Sequence, residues 1–134
     1  MTKVKCSYLG DLNCEAIHLQ SGTFIRTDAP IEHCGKGESF SPTDLLATSL
    51  GTCLLTIMAI KAKSRGFDLK DIYLNIEKLM TQNSERKIKE LIIDIFIPDT
   101  PPIGNINFLN KASEDCPVTR NLSQGIDIKF LWHH

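Results

Sequence analysis

Residues 41–66 read SPTDLLATSLGTCLLTIMAIKAKSRG, and no other part of the chain constrains the architecture as tightly. Ser41 precedes Pro42, and Asp44 stands three residues beyond the serine. That is an N-cap, a proline at the first helical position and an acid near the positive end of the helix dipole. The helix is expected to run to about Arg65 and to stop at Gly66. The sixteen residues from Leu45 to Ile60 carry no charge, and Lys61, Lys63 and Arg65 follow in the last turns. A helix without a polar face is expected to be buried nearly all round. Sixteen residues interrupted by Thr48, Ser49, Thr52 and Thr56 fall short of the ~20 apolar residues a bilayer needs, so no membrane span is predicted.

On the N-terminal side the pattern changes to period two. Val4, Cys6 and Tyr8 alternate with Lys3, Lys5 and Ser7, and Cys14, Ala16 and His18 repeat the alternation after Gly10-Asp11-Leu12-Asn13, which reads as a hairpin. This periodicity places Cys6 and Cys14 among core positions. A third short strand is expected from Thr23 to Thr27, followed by a loop from Ala29 to Phe40, of a length that often carries function. On the C-terminal side Ile72, Leu74 and Ile76 begin a strand, and a second strand is expected from Lys87 to Ile97 beyond the turn Gln82-Asn83-Ser84-Glu85. After Pro101-Pro102, the stripe Ile103, Ile106, Leu109 and Ala112 predicts a shorter helix ending near Cys116-Pro117. Ile126, Ile128, Phe130 and Trp132 then alternate as a last strand. Three strands, a long helix, two strands, a short helix and a strand make an α+β fold built largely on antiparallel pairing. So small a chain has little with which to cover both sides of an apolar helix, and a second copy of the protein is the simplest cover.

The 134 residues leave room for one domain, residues 1–134. Hydrophobic residues at 42% exclude a disordered chain, and fifteen basic against sixteen acidic residues, net charge -1, leave no field to gather nucleic acid or anionic lipid. Met1-Thr2-Lys3-Val4-Lys5-Cys6 is followed by no apolar run of signal-peptide length. Five cysteines without regular spacing suit a reducing compartment better than a disulfide framework. The protein is therefore expected to be cytoplasmic.

The thiols carry the candidate chemistry. Cys53, in the middle of the long helix, reads first as a small hydrophobe. Cys116 stands before Pro117, where a new helical turn would begin, and thiols at helix starts lose pKa units. Its plainer reading is closure of the preceding apolar stripe. Arg120, four residues on, has the spacing to bring a cation to the same sulfur. His33 and Cys34 are adjacent in the loop, but no C-x-x-C exists and the other histidines are scattered, so no metal is predicted. Gly35-Lys36-Gly37 is too short for a phosphate-binding loop, no G-x-S-x-G is present, and no cofactor is predicted.

With these residues in view, the runs Thr27-Asp28-Ala29-Pro30, Gly35-Lys36-Gly37-Glu38-Ser39-Phe40-Ser41-Pro42-Thr43-Asp44-Leu45-Leu46, Ser49-Leu50-Gly51-Thr52-Cys53 and Cys116-Pro117-Val118 resemble the OsmC/Ohr family over nearly the whole chain. The resemblance implies an intertwined α+β homodimer, with antiparallel sheets around a long buried central helix and redox sites at the subunit interface. It further implies that Cys53 attacks an organic hydroperoxide and that Cys116 resolves the sulfenic acid into a disulfide, which a lipoyl-type dithiol reduces.

Thiol acidity alone does not make a peroxidase. A thiol of pKa about 8.5 is roughly 3% ionised at neutral pH, and lowering its pKa by about two units raises that roughly 25-fold. The accompanying loss of nucleophilicity takes back about tenfold. The larger contribution must come from groups that hold the peroxide oxygens and the departing alkoxide. The family's peroxidases use an arginine from an early loop and a glutamate on the long helix. Here Gln20 and Thr43 stand at those positions, and Arg26 and Glu38 are the nearest substitutes. The sequence thus predicts a two-cysteine, peroxidase-like redox protein of the general OsmC-like branch, with Cys53, Cys116, Arg26, Glu38 and Arg120 as its site. The alternative is a non-catalytic module that binds a small lipophilic ligand, with structural cysteines.

Overall fold

The computed structural model describes residues 1–66, 68–98 and 107–133. The chain divides into two compact units, Met1–Leu46 and Ala47–His134, and α+β is the class of the whole.

In the first unit β1 (Val4–Gly10), β2 (Asn13–His18) and β3 (Phe24–Asp28) form an antiparallel sheet in chain order. Asp11 and Leu12, both at positive φ, make the tight connection between β1 and β2, the conformation whose twist matches that of paired strands. The segment after β3 folds back on itself. Asp28, almost fully buried, accepts a hydrogen bond from the Glu38 amide at 3.1 Å, and the Asp28 amide donates to the Phe40 carbonyl at 3.0 Å. Gly35 lies so close to Ala29 that a β-carbon would fall 1.7 Å from the Ala29 carbonyl oxygen, so only glycine fits. The expected core role of Cys6 and Cys14 does not hold. Cys6 is exposed and Cys14 half-buried, because β1 is a sheet edge exposed along nearly its whole length.

The helix α1 (Pro42–Ser64) starts as the sequence predicts. Ser41 Oγ accepts from the Asp44 amide at 3.1 Å while the Asp44 carboxylate accepts from the Ser41 amide at 2.9 Å, a reciprocal capping box. Its burial differs from expectation. Ala47, Leu50, Gly51, Leu54, Met58 and Ala62 are buried, at the spacing of one helix face, while Leu46 and Ile60 are exposed. The uncharged run is a long apolar helix of which this chain covers one side. By length and composition the helix could cross a membrane, but Leu50, Leu54 and Met58 belong to the same core cluster as the strands of the second unit.

That second unit contains β4 (Tyr73–Met80), β5 (Ile88–Phe96) and β6 (Asp127–His133) in the order β4-β5-β6. The hairpin β4/β5 is antiparallel and β5/β6 is parallel, which the period-two pattern did not reveal. Parallel neighbours need a crossover, and among its described residues lie three short helices: α2 (Asn107–Asn110), α3 (Ala112–Asp115) and α4 (Pro117–Leu122). They stand where one shorter helix was expected; the first residues of that expected stripe lie outside the described residues. Leu91, Ile93 and Ile95 of the central strand are wholly buried. Against β4 the helix α1 sits so closely that a β-carbon at Gly51 would stand 2.7 Å from Ile76 Cδ1 and 2.9 Å from Leu74 Cδ1.

Candidate functional site

The crossover brings two distant cysteines together. Cys53 is on α1 and Cys116 is the junction between α3 and α4, 63 residues later, yet their sulfurs lie 2.7 Å apart. The junction is dictated locally. Pro117 occupies the first position of α4 and disfavours a helical residue before it, so Cys116 adopts extended backbone, φ -73° and ψ 116°. Its amide still closes α3 on the Ala112 carbonyl, and its carbonyl accepts from the Arg120 amide. The sulfur is thus held from both sides by backbone bonds.

The two thiols are not equivalent. Cys53 is half-buried and Cys116 has no exposed surface, so a solute meets Cys53 first. Burial pushes the Cys53 thiol up, and its hydrogen bond to Cys116 and the charge there push it further, against a smaller pull from the Val118 amide. Burial also opposes ionisation of Cys116, but the influence of the Cys53 thiol, Thr119 and the Val118 amide outweighs it and holds Cys116 below the usual thiol range. The first proton lost by the pair therefore leaves its charge on the inner sulfur, with Cys53 donating to it.

This predicts opposite pH displacements. Cys116→Ala removes two of the influences that raise Cys53, so ionisation of Cys53 should set in at lower pH. Cys53→Ala removes a donor from Cys116, whose ionisation should move to higher pH. Alkylation rates against pH, resolved by peptide mass, measure both; displacements in the same direction would overturn the assignment.

A clamp holds the junction onto α1. Lys61 of α1 pairs with Asp115, the residue before Cys116, and holds the Asp115 carboxyl below the usual carboxylate range. Arg65 lies over the Phe108 ring, 4.2 Å from its centroid. Lys61 and Arg65 were read from the sequence only as charges at a helix C-terminus, and no local spacing marks their partners. Arg120, expected to bring a cation toward Cys116, donates through Nε to the Glu114 carbonyl at 2.8 Å, and a terminal nitrogen lies 3.5 Å from Asp115. Cys116 itself is an extended residue at the start of the helix that carries Arg120.

The remaining predicted residues lie in the first unit. Arg26, on β3, faces Glu15 across the β2/β3 pairing, 3.7 Å away. Glu38 is in the loop, its amide bound to Asp28; Gln20 is exposed between β2 and β3, and Thr43 is in the first turn of α1. Along α1 beyond Cys53, a cavity of about 370 Å³ is lined by Thr56, Ile60, Lys63 and Leu69 among others, and by neither cysteine. Among the described residues no three His, Cys, Asp or Glu side chains converge in a way that could hold a metal.

A half-buried thiol on a long helix, touching a buried thiol that caps a short one, defines an α+β dithiol protein. Residues 35–130 match the OsmC-like protein family, and the chain belongs to it. It is 40% identical to a protein of Psychrobacter arcticus 273-4 provisionally described as an osmotic stress induced and detoxification response protein, over 99% of this chain and 96% of that one, with a TM-score of 0.89. The fold is shared with the organic hydroperoxide resistance protein OsmC of Legionella pneumophila, at 19% identity over 100% and 97% of the two chains and TM-score 0.79. It is shared also with the organic hydroperoxide resistance protein OhrB of Bacillus subtilis, at 15% identity over 98% and 97% and TM-score 0.72. No curated protein matches the sequence.

Proposed function

We propose that this protein is a thiol-dependent, peroxidase-like redox protein that reduces organic hydroperoxides through Cys53 and Cys116. The observation that carries the reading is the 2.7 Å contact between a half-buried and a buried sulfur. The hydroperoxide resistance named for relatives of the same fold supports it.

In this mechanism the proton of Cys53 passes to Cys116, and the Cys53 thiolate attacks the outer peroxide oxygen. The O–O bond breaks, the alkoxide takes a proton and leaves as the alcohol, and Cys53 becomes a sulfenic acid. Cys116, ionised again, attacks that sulfur; hydroxide leaves and is protonated to water as the disulfide forms. A dithiol of lipoyl type then returns both cysteines to thiols and is itself oxidised to a cyclic disulfide. Arg120 serves through Asp115, keeping the junction in place. The proposal carries Arg26 and Glu38 as the cation and carboxylate acting on the peroxide, which Arg26→Ala and Glu38→Ala test by loss of turnover.

The two compact units are treated as one OsmC-like domain, since the family match crosses their boundary. A homodimer is part of the proposal. Large apolar residues left exposed, among them Tyr8, Phe24, Ile25, Leu46 and Ile60, are the kind of surface that a second copy would cover. A cytoplasmic setting suits five free thiols.

Mixing reduced protein with cumene hydroperoxide should lower the intact mass by two hydrogens and link Cys53 to Cys116 in the peptide map. Unchanged thiols would defeat the proposal. They would leave the second reading, a ligand-binding module with structural cysteines, for which the cavity of about 370 Å³ is the supporting observation.

A further inference from the structure

The helices on either side of Cys116 are too short to stand alone. α3 has four residues and α4 six, where an isolated helix needs about 12–15 to be even marginal in water. Their seat on α1 must therefore come from anchors. Before the junction, Leu109 and Ala112 are wholly buried in the core cluster. After it, α4 contributes no fully buried residue. Between the two stands Asp115, whose carboxylate oxygens serve two different elements. One pairs with Lys61 of α1, and the other lies 3.5 Å from a terminal nitrogen of Arg120 on α4. Lys61 follows Cys53 by about 12 Å of helix and is half-buried. The carboxylate thus ties both flanks of Cys116 to the helix that bears Cys53.

We infer that Lys61 is a positioning residue for the Cys53–Cys116 couple, holding Cys116 against Cys53 through the Asp115 carboxylate. The inference deepens the two-cysteine reading and rests on it for its place in turnover. In the disulfide form the S–S bond itself holds the junction; in the dithiol form packing and the ion pair hold it. Without Lys61 the dithiol form gains conformations in which the junction has lifted from α1 and Cys116 no longer meets Cys53. The effective concentration of one sulfur at the other then falls. With it fall the equilibrium constant for closing the disulfide and the rate at which Cys116 captures an oxidised Cys53. An ion pair that only stabilised the fold would favour both forms alike and leave that equilibrium unmoved.

Oxidised glutathione reads the effect without peroxide. The Cys53 thiolate attacks one glutathione sulfur and expels glutathione thiolate; the Cys116 thiolate then attacks the Cys53 sulfur and expels the second, so two glutathione thiols are released for each protein disulfide. The full chain is equilibrated with reduced and oxidised glutathione at neutral pH, quenched with acid, alkylated and counted by peptide mass. Lys61→Met, which keeps the apolar stem and removes the charge, should lower the equilibrium constant about three- to fivefold, as much as a partly exposed ion pair supplies. Lys61→Arg should restore it. Asp115→Asn should lower the constant by itself, and Lys61→Met should then add nothing. Salt at about 1 M should shrink the difference between the parent and Lys61→Met, because screening weakens the parent's pair. If Lys61→Met does not fold, Lys61→Gln carries the same expectation. A constant unmoved by Lys61→Met or Lys61→Gln overturns the inference. So does a Lys61→Arg protein that behaves like them, a Lys61→Met effect that persists in full beside Asp115→Asn or in salt, or a parent protein that glutathione cannot close. Failure of hydroperoxide to form a disulfide that glutathione does form would overturn the peroxidase reading and leave this equilibrium standing.

Discussion

Cys53→Ser should abolish hydroperoxide consumption, while Cys116→Ser should consume one equivalent per chain and then stall. The difference follows from the roles the two sulfurs take. Removing a covalent nucleophile costs on the order of 10⁴-fold or more in turnover, and a serine alcohol at residue 53 would remain protonated where a thiol ionises. Cys116 enters only after oxygen has been transferred, so its loss spares the first step and traps Cys53 as sulfenic acid. Dimedone should label Cys53 in Cys116→Ser and nothing in Cys53→Ser. The order of the cysteines rests on access, since Cys116 has no exposed surface and Cys53 does. Acidity points the other way at first sight, because charge settles on Cys116. It is nevertheless the accessible sulfur that meets the oxidant, and nucleophilicity rises with thiol pKa, so a thiol held high is intrinsically the better attacker once ionised. A burst of one equivalent in Cys53→Ser, with Cys116 labelled, would reverse the assignment.

The long helix was legible because its signals are local: a serine, a proline and an acid at its start, and an uncharged run that nothing interrupts. The capping box at Ser41 and Asp44 realises them. What the run did not reveal is how much of it one chain covers. Absence of charge predicts burial on every face, yet Leu46 and Ile60 remain exposed, because composition does not say whether the cover comes from the same chain. Strand positions were legible from alternation, to within a residue or two at their ends. The parallel pairing of β5 with β6 was not, since alternation is the same whichever way the neighbour runs. At the site, Cys116 before Pro117 marked a helix start, and Pro117 does begin α4. Contact between residues 53 and 116 depends on the crossover, and no spacing encodes it; it came from the family resemblance alone. Lys61 was overlooked because its partner, Asp115, is set by where the α3–α4 junction sits on α1.

Leu54→Ala should cost about 2–5 kcal/mol of unfolding free energy, the range for a fully buried leucine, against a total of about 5–15 kcal/mol for a domain. Leu54 has no exposed surface and lies in the stripe that joins α1 to Leu91, Ile93 and Ile95 in one core cluster. Ile60→Ala, on the open side of the same helix, should change monomer stability by under about 0.5 kcal/mol. The midpoint of urea unfolding, with an unchanged slope, reads both. Oxidation supplies the counterweight. A Cys53–Cys116 bond closes a loop between residues 63 apart, which by chain entropy stabilises by about 4 kcal/mol. Oxidised Leu54→Ala should therefore unfold near the midpoint of the reduced parent. A cost under about 1 kcal/mol for Leu54→Ala would remove α1 from the core. If the oxidised variant were no more stable than the reduced one, the disulfide would be distorting the seat of α1 on β4, where Gly51 leaves no room for a shift toward Ile76 and Leu74.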